Sequence, residues 1–298
     1  MAKTTNNTIA DSNLGELKAP GRSKGLIDVV LHYRYLLNLI VKKEMKARYR
    51  GSFLGRIWTY IKPLTQFLIY FFFFGVVFGM KARSDVGGNF AVFQFSGLCA
   101  INLFVEVWRN ATTSIRANAA LVQKIYLPRE LFPLSAWRVA FSHFIPQVII
   151  LLSACLFTGW HPTIKNIIAI LFGITIISIF ALGLGLIFAG INVFFQDAEN
   201  FVDLFGMVAT WATPVLYHWS LLKQFLGPLI NVYFAWPLTA ACELMHYGFL
   251  QYPYFDNQNI VIPHIWRYGL IALLFSIIVC ILGQIIFRKL EGKFAQEL

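Results

Sequence analysis

The side chains in this sequence that could do chemistry are few and loosely grouped. Asp197, Glu199 and Asp203 lie close together, and carboxylates so spaced could hold Mg2+ for a sugar-nucleotide enzyme. The stronger reading of the same acids is a solvated cytosolic loop before a helix, whose N-terminal dipole favours negative charge. Glu106 and Arg109 stand three apart in an apolar stretch, so a helix would set them on one face. Charge inside a membrane can mark an ion pathway. At about 1.5 Å per residue from Ala91, however, Arg109 reaches the far edge of a bilayer core, and the pair reads as a local anchor. Cys99, Cys155, Cys242 and Cys280 form no CxxC and are read as standing apart from any histidine at ligand spacing, so neither zinc nor redox chemistry is expected. No GxxxxGK[ST], HExxH, GxSxG or HxE…CxxC pattern occurs, which leaves no phosphate-cradling loop on this chain.

The elements that must position these residues are membrane helices. The chain has 298 residues, 58% of them hydrophobic and only 13% charged. Its mean hydropathy is +0.64. A soluble domain carries about 25% charge, so a soluble enzyme, a disordered chain and a secreted disulfide scaffold are all excluded. Apolar stretches run over 63–80, 91–109, 137–159, 164–190, 201–217 and 264–287; each approaches the roughly 20 residues needed to cross a bilayer. Gly75 and Gly79 form a GxxxG, and Gly183, Gly185 and Ala189 a second small-residue face, both suited to close helix approach. Six spans place both termini in the cytosol, with 20 Lys and Arg inside and five outside, as the positive-inside rule asks. The net charge of +11 is then membrane topology, and no nucleic-acid partner is expected.

Residues 1–25 are polar, lack the apolar core of a signal peptide, and read as a flexible cytosolic tail. Over 26–46, Leu26, Val30, Tyr33, Leu37 and Ile40 recur at helical spacing, which predicts an amphipathic helix lying in the membrane interface. Residues 218–262 are apolar but broken at Gly227-Pro228 and Trp236-Pro237. Their pieces are too short to cross, and one crossing would put the basic C-terminus outside. The segment is therefore expected to dip into the outer leaflet and return, either lining a pathway mouth or resting as a plain interfacial pair. The loop 110–136 can be helical over 114–126, with Pro128 and Pro133 beyond. It is either a simple connection or a rigid cytosolic helix able to transmit a partner's movement.

These pieces resemble a family. KKEMKARYRGSFLGRIWTYIKPL (42–64), FSGLCAINLF (95–104), LVQKIYLPRELFPL (121–134), FFQDAENFVDLF (194–205), TPVLY (213–217) and WPLTAACELMH (236–246) are similar to the membrane subunits of ABC-2-type polysaccharide exporters, the permeases for lipid-linked O-antigen, teichoic acid and capsule. The resemblance implies an all-α membrane domain over 47–290, with six spans, an interfacial helix at 26–46, outer gate helices within 218–250 and a cytosolic 291–298. It implies two copies of this chain with two copies of a P-loop ATPase, which would hold the ATP and Mg2+; no cofactor is expected on the chain itself. Within 114–130, Arg116, Lys124, Tyr126, Arg129 and Glu130 would contact that ATPase. Family members usually have Asn-Pro-Leu where this chain has Trp236-Pro237-Leu238, and the bulkier Trp would narrow the mouth.

Arg48, Arg50, Arg56 and Lys62 sit where a lipid pyrophosphate would arrive from the cytosol, and guanidinium forks suit phosphate oxygens. Anchoring to anionic lipid is the plainer role for the same set. Aromatic rings suit sugar C–H faces, which makes Trp58, Phe71, Phe74, Trp211, Tyr217, Tyr233 and Trp236 candidates to line a channel or gate. Two other readings stay open. An integral membrane glycan transferase would use Asp197 and Glu199, and an ion-coupled carrier or flippase would depend on Glu106.

Overall fold

The computed structural model describes residues 25–79, 90–157, 159–250 and 261–298; apart from Gly25, the expected N-terminal tail lies outside these. The regular structure of the described residues is all helical, with no strand among them. The amphipathic stretch forms two helices, α1 (Leu26–His32) and α2 (Arg34–Tyr49), which part at Tyr33, where ψ is 25°. The buried face runs on across that junction at helical spacing. Val29 is buried with Leu37 and Ile40, while Val30, expected on that face, points outward.

Five helical stretches are long and apolar enough to span. They are Gly55–Val77, which contains α3 (Trp58–Tyr70), then α4 (Phe90–Ala117), α6 (Leu131–Phe157), α7 (Ile164–Phe194) and α12 (Ile265–Glu291). Between α4 and α6 lies the short α5 (Ala119–Lys124). After α3 the helix widens into a π turn over Phe71–Val77, and Gly79, with φ 66°, follows it. The expected GxxxG packing is thus only half present: Gly75 lies against Phe90, and Gly79 has open space around it.

The stretch predicted over 201–217 is α8 (Ala198–Ala212). Its 15 residues rise about 22 Å, short of a hydrocarbon core of about 30 Å. The chain continues upward as buried, irregular Thr213–Leu216. This run is antiparallel to α4: Asp203 meets Arg109, Gly206 meets Val105, and Val215 meets Gly97. Together helix and extension climb along most of α4.

The broken segment forms α9 (Ser220–Leu226), α10 (Ile230–Ala235) and α11 (Pro237–Phe249), bent by 81° at Trp236. Trp236 is extended (φ −65°, ψ 130°) with Pro237 opening α11, as the residue before a proline requires. The contacts show a turn rather than a crossing. Phe234 packs on Tyr268 near the start of α12, Trp236 meets Phe180 and Phe275 deeper in, and Asn166 at the start of α7 donates to the Tyr247 carbonyl. The pair enters and leaves at the same end.

The remaining packing follows small residues. A Cβ on Gly283 would sit 2.3 Å from the Gly183 carbonyl oxygen, and one on Gly185 2.6 Å from Ala111 Cβ, so α7 meets α12 and α4 backbone to backbone. A last short helix, α13 (Phe294–Glu297), buries Phe294 against Phe194 and Phe287.

Candidate functional site

Three helices bring polar side chains together in their apolar spans. At one level, Glu106 (α4) accepts from Arg48 (α2) at 2.9 Å and touches His143 Nδ1 (α6), while the Tyr49 hydroxyl lies 2.9 Å from His143 Nε2. Arg48 also donates to Asn110 at 3.3 Å. Burial pushes the Tyr49 hydroxyl above its usual range, which keeps it a neutral donor. With its proton on Nδ1, His143 donates to Glu106 and accepts from Tyr49 on Nε2, while Arg48 donates to Glu106 and Asn110. One helical turn along, Asn102 donates to Gln66 and Gln147, both at 3.2 Å. Polar residues at (62, 66), (102, 106) and (143, 147) thus form a stripe where α3, α4 and α6 meet. Their four-residue spacing in apolar runs was the sequence signal for it, and only Lys62 and Glu106 were singled out, each for another reason.

A cavity of about 540 Å³ opens on this stripe, lined by Arg48, Trp58, Lys62, Glu106, His143 and Gln147 among others. It shares Tyr49, Thr59 and His143 with a larger groove of about 1930 Å³ between α2, α3 and α6, rimmed by Lys42, Lys46, Arg50 and Arg56. The four predicted phosphate residues therefore divide. Arg48 is committed to Glu106, whereas Arg50, Arg56 and Lys62 are exposed around the cavities.

The loop after α4 is held at several points. The helix breaks at Asn118, which accepts from Lys43 of α2 at 2.7 Å. Glu130, 1% exposed, accepts from Gln284 at 3.1 Å and lies 3.5 Å from Arg288 Nε. The Arg129 guanidinium lies 5.7 Å from the Phe294 ring, and Arg116 faces the Gln196 amide oxygen. What projects freely is the tip Gln123–Tyr126, with Tyr126 83% exposed. Of the five residues expected to meet a partner, Lys124 and Tyr126 are on that tip. Glu130 is not, because its carboxylate is turned inward onto α12.

The aromatic candidates also separate. Phe74 packs on Trp211 at 6.1 Å, and the Tyr217 and Tyr233 hydroxyls both donate to the Ala212 carbonyl at the end of α8, satisfying an acceptor that the helix leaves open. Phe71 packs on Phe67 and Phe90, and Trp236 on Phe180 and Phe275. Trp58 lies apart, at the small cavity.

The carboxylates considered as a cation site do not group. Asp203 pairs with Arg109 at 3.1 Å, Glu199 accepts from Asn192 at 2.8 Å, and no set of three metal-ligating side chains occurs among the described residues. Glu106 and Arg109 therefore anchor different helices and are not a pair. Cys242, read as isolated, does meet a histidine: its sulfur lies 3.7 Å from His246 Nε2, and Glu243 Oε1 3.6 Å from His246 Nδ1, all fully buried in α11. Their three- and four-residue spacing was visible in the sequence and went unused.

Comparison with known proteins agrees with this architecture. Residues 35–250 match the model of the ABC-2 type transporter family. The chain is 29% identical, over 88% of its length and 95% of the relative's, to an O-antigen export system permease protein RfbA of Klebsiella pneumoniae. It is 32% identical to the protein of that name from Myxococcus xanthus, over 67% of this chain and 74% of the relative. It is 24% identical to the capsule polysaccharide export inner-membrane protein CtrC of Neisseria meningitidis, over 70% and 71%. The helical bundle, its returning helix pair and the family match over most of the chain together establish this multi-pass membrane protein as a permease subunit of the ABC-2 type transporter family.

Proposed function

We propose that the chain exports a lipid-linked polysaccharide across the bacterial inner membrane, as one of two copies assembled with two copies of a separate ATPase. The relatives named for O-antigen and capsule export, matched over most of their length, support the substrate class. The end of the bundle bearing α2, the tip and Arg288 carries most of the basic residues and is taken as cytoplasmic. There, ATP and Mg2+ belong to the partner, and Lys124 and Tyr126 present an exposed surface to it.

The observation that carries the reading is the pair of adjoining cavities at that end. Their rim holds Arg50, Arg56 and Lys62, suited to a pyrophosphate. Their walls include Leu36, Leu39, Ile145 and Pro146, suited to a lipid tail. Exposed sugar hydroxyls in hydrocarbon would each cost several kcal/mol, so the glycan itself needs a lined path. The aromatic group around Trp211, Tyr217 and Tyr233 supplies such a wall toward the opposite end.

The test is co-purification with the candidate ATPase in nanodiscs, followed by ATP hydrolysis with and without lipid-linked glycan. A stable complex whose hydrolysis responds to the glycan is expected. A chain that binds no ATPase, or transfers sugar without ATP, overturns the reading.

A further inference from the structure

We propose that Glu130 is a positioning residue, and that α12 is a lever carrying movement of the exposed tip to the bent helix pair at the far end. The inference rests on the proposed function, since it takes the tip to be where an ATPase pushes.

Three observations carry it. First, the chain just after the tip is fastened to the basic end of α12: Glu130 is buried against Gln284 and Arg288, and Arg129 lies over Phe294 just beyond the helix. Second, the other end of the same helix holds the bent pair. The Tyr268 hydroxyl donates to Asn231 at 2.8 Å, its ring packs on Phe234 at 5.5 Å, and Phe275 packs on Trp236 at 6.0 Å. Third, α12 is one unbroken helix of 27 residues with no internal proline, and it crosses α7 backbone to backbone where Gly183 meets Cys280 and Gly283.

That crossing is placed as a fulcrum. Arg288 lies about 7 Å beyond Gly283 and Tyr268 about 22 Å before it, at about 1.5 Å per residue. A tilt about the glycines would therefore move Tyr268 about three times as far as Arg288. On either side of the crossing, α12 touches α7 through flexible side chains, Phe172 against Gly269 and Leu290 against Gly190, which can repack as the helix tilts. A wider side chain at the fulcrum would force the backbones apart, whereas glycine lets them stay in contact.

Contact alone does not demonstrate coupling, so the experiment reads movement. Nitroxide labels at Val232 in the bent pair and at Phe157 on α6 are both exposed. Cys280 is replaced by Ala, and the other three cysteines are buried. The full chain in nanodiscs with its co-purified ATPase is measured by pulsed EPR, with and without ATP, Mg2+ and vanadate. The expected result is a nucleotide-dependent distance change that falls at least threefold in Glu130→Gln, while ATPase association and hydrolysis stay within twofold. A merely structural role would instead lower yield and hydrolysis together.

An unchanged distance shift in Glu130→Gln overturns the proposal, and so does loss of ATPase association, which would make Glu130 a contact. Should that variant fail to fold, Arg288→Gln carries the same expectation, because it leaves Glu130 its bond from Gln284. If the unsubstituted chain binds no ATPase, the proposed function falls and the lever with it. Intact association and hydrolysis with an unaltered shift remove the lever alone.

Discussion

Glu106 holds α2 to the bundle, because its carboxylate is shared between Arg48 and His143. Glu106→Ala leaves a buried imidazole and a guanidinium without their acceptor, at a cost of about 1–3 kcal/mol. A lower melting temperature in detergent, together with faster proteolysis within α2, is the expected outcome. Glu44 behaves in the opposite sense. Burial raises its carboxyl above the usual carboxylate range, against the hydrogen bonds of Ser135 and Asn118 and the charges of Lys43 and Arg48. A raised folded-state pKa means its contribution is fully present below the ordinary carboxylate pKa and is lost as pH rises through the raised one. Glu44→Gln should therefore raise the melting temperature slightly at pH 8 and leave it unchanged at pH 4; a rise at pH 4 alone would reverse the assignment. Both residues were plain in the sequence as polar positions, but their partners lie on other helices, up to 91 positions away in the case of Ser135.

At the scale of elements, local rules read well wherever a single helix decides. Apolar runs located α3, α4, α6, α7 and α12, and Pro237 marked the start of α11. Reading failed where packing sets the phase or the end of a helix. Val29 faces inward where Val30 was expected, and the stretch at 201–217 proved to be a shorter helix extended by buried irregular chain. The small-residue face on α7 was legible, yet its partner was not. Gly283→Ala would drive α12 off Gly183, an overpacking cost of about 1–3 kcal/mol, seen as reduced yield of folded protein. Gly292→Ala, with nothing within 4 Å of its added Cβ, should leave yield unchanged and serves as the control.

For the whole molecule, the tip and the returning pair lie at opposite ends of one bundle, and a transport cycle must connect them. Lys124→Glu with Tyr126→Ala changes only exposed side chains. It should lower ATPase association at least tenfold in a pull-down and leave the melting temperature unaltered. The sequence by itself determined the membrane class, the approximate extent of the five long apolar helices, the basic end and the family resemblance. These follow from hydropathy, charge asymmetry and local spacing, each of which acts within about 20 residues. Only the tertiary structure decided that Arg48 is spent on Glu106, that Glu130 is buried against α12, that Asp203 and Glu199 lie on separate partners, and that the broken segment returns to its own end. The physical reason is common to all four. An ion pair or a helix crossing joins residues far apart in the chain, so its partner is fixed by how apolar faces and small residues pack, which no local pattern records.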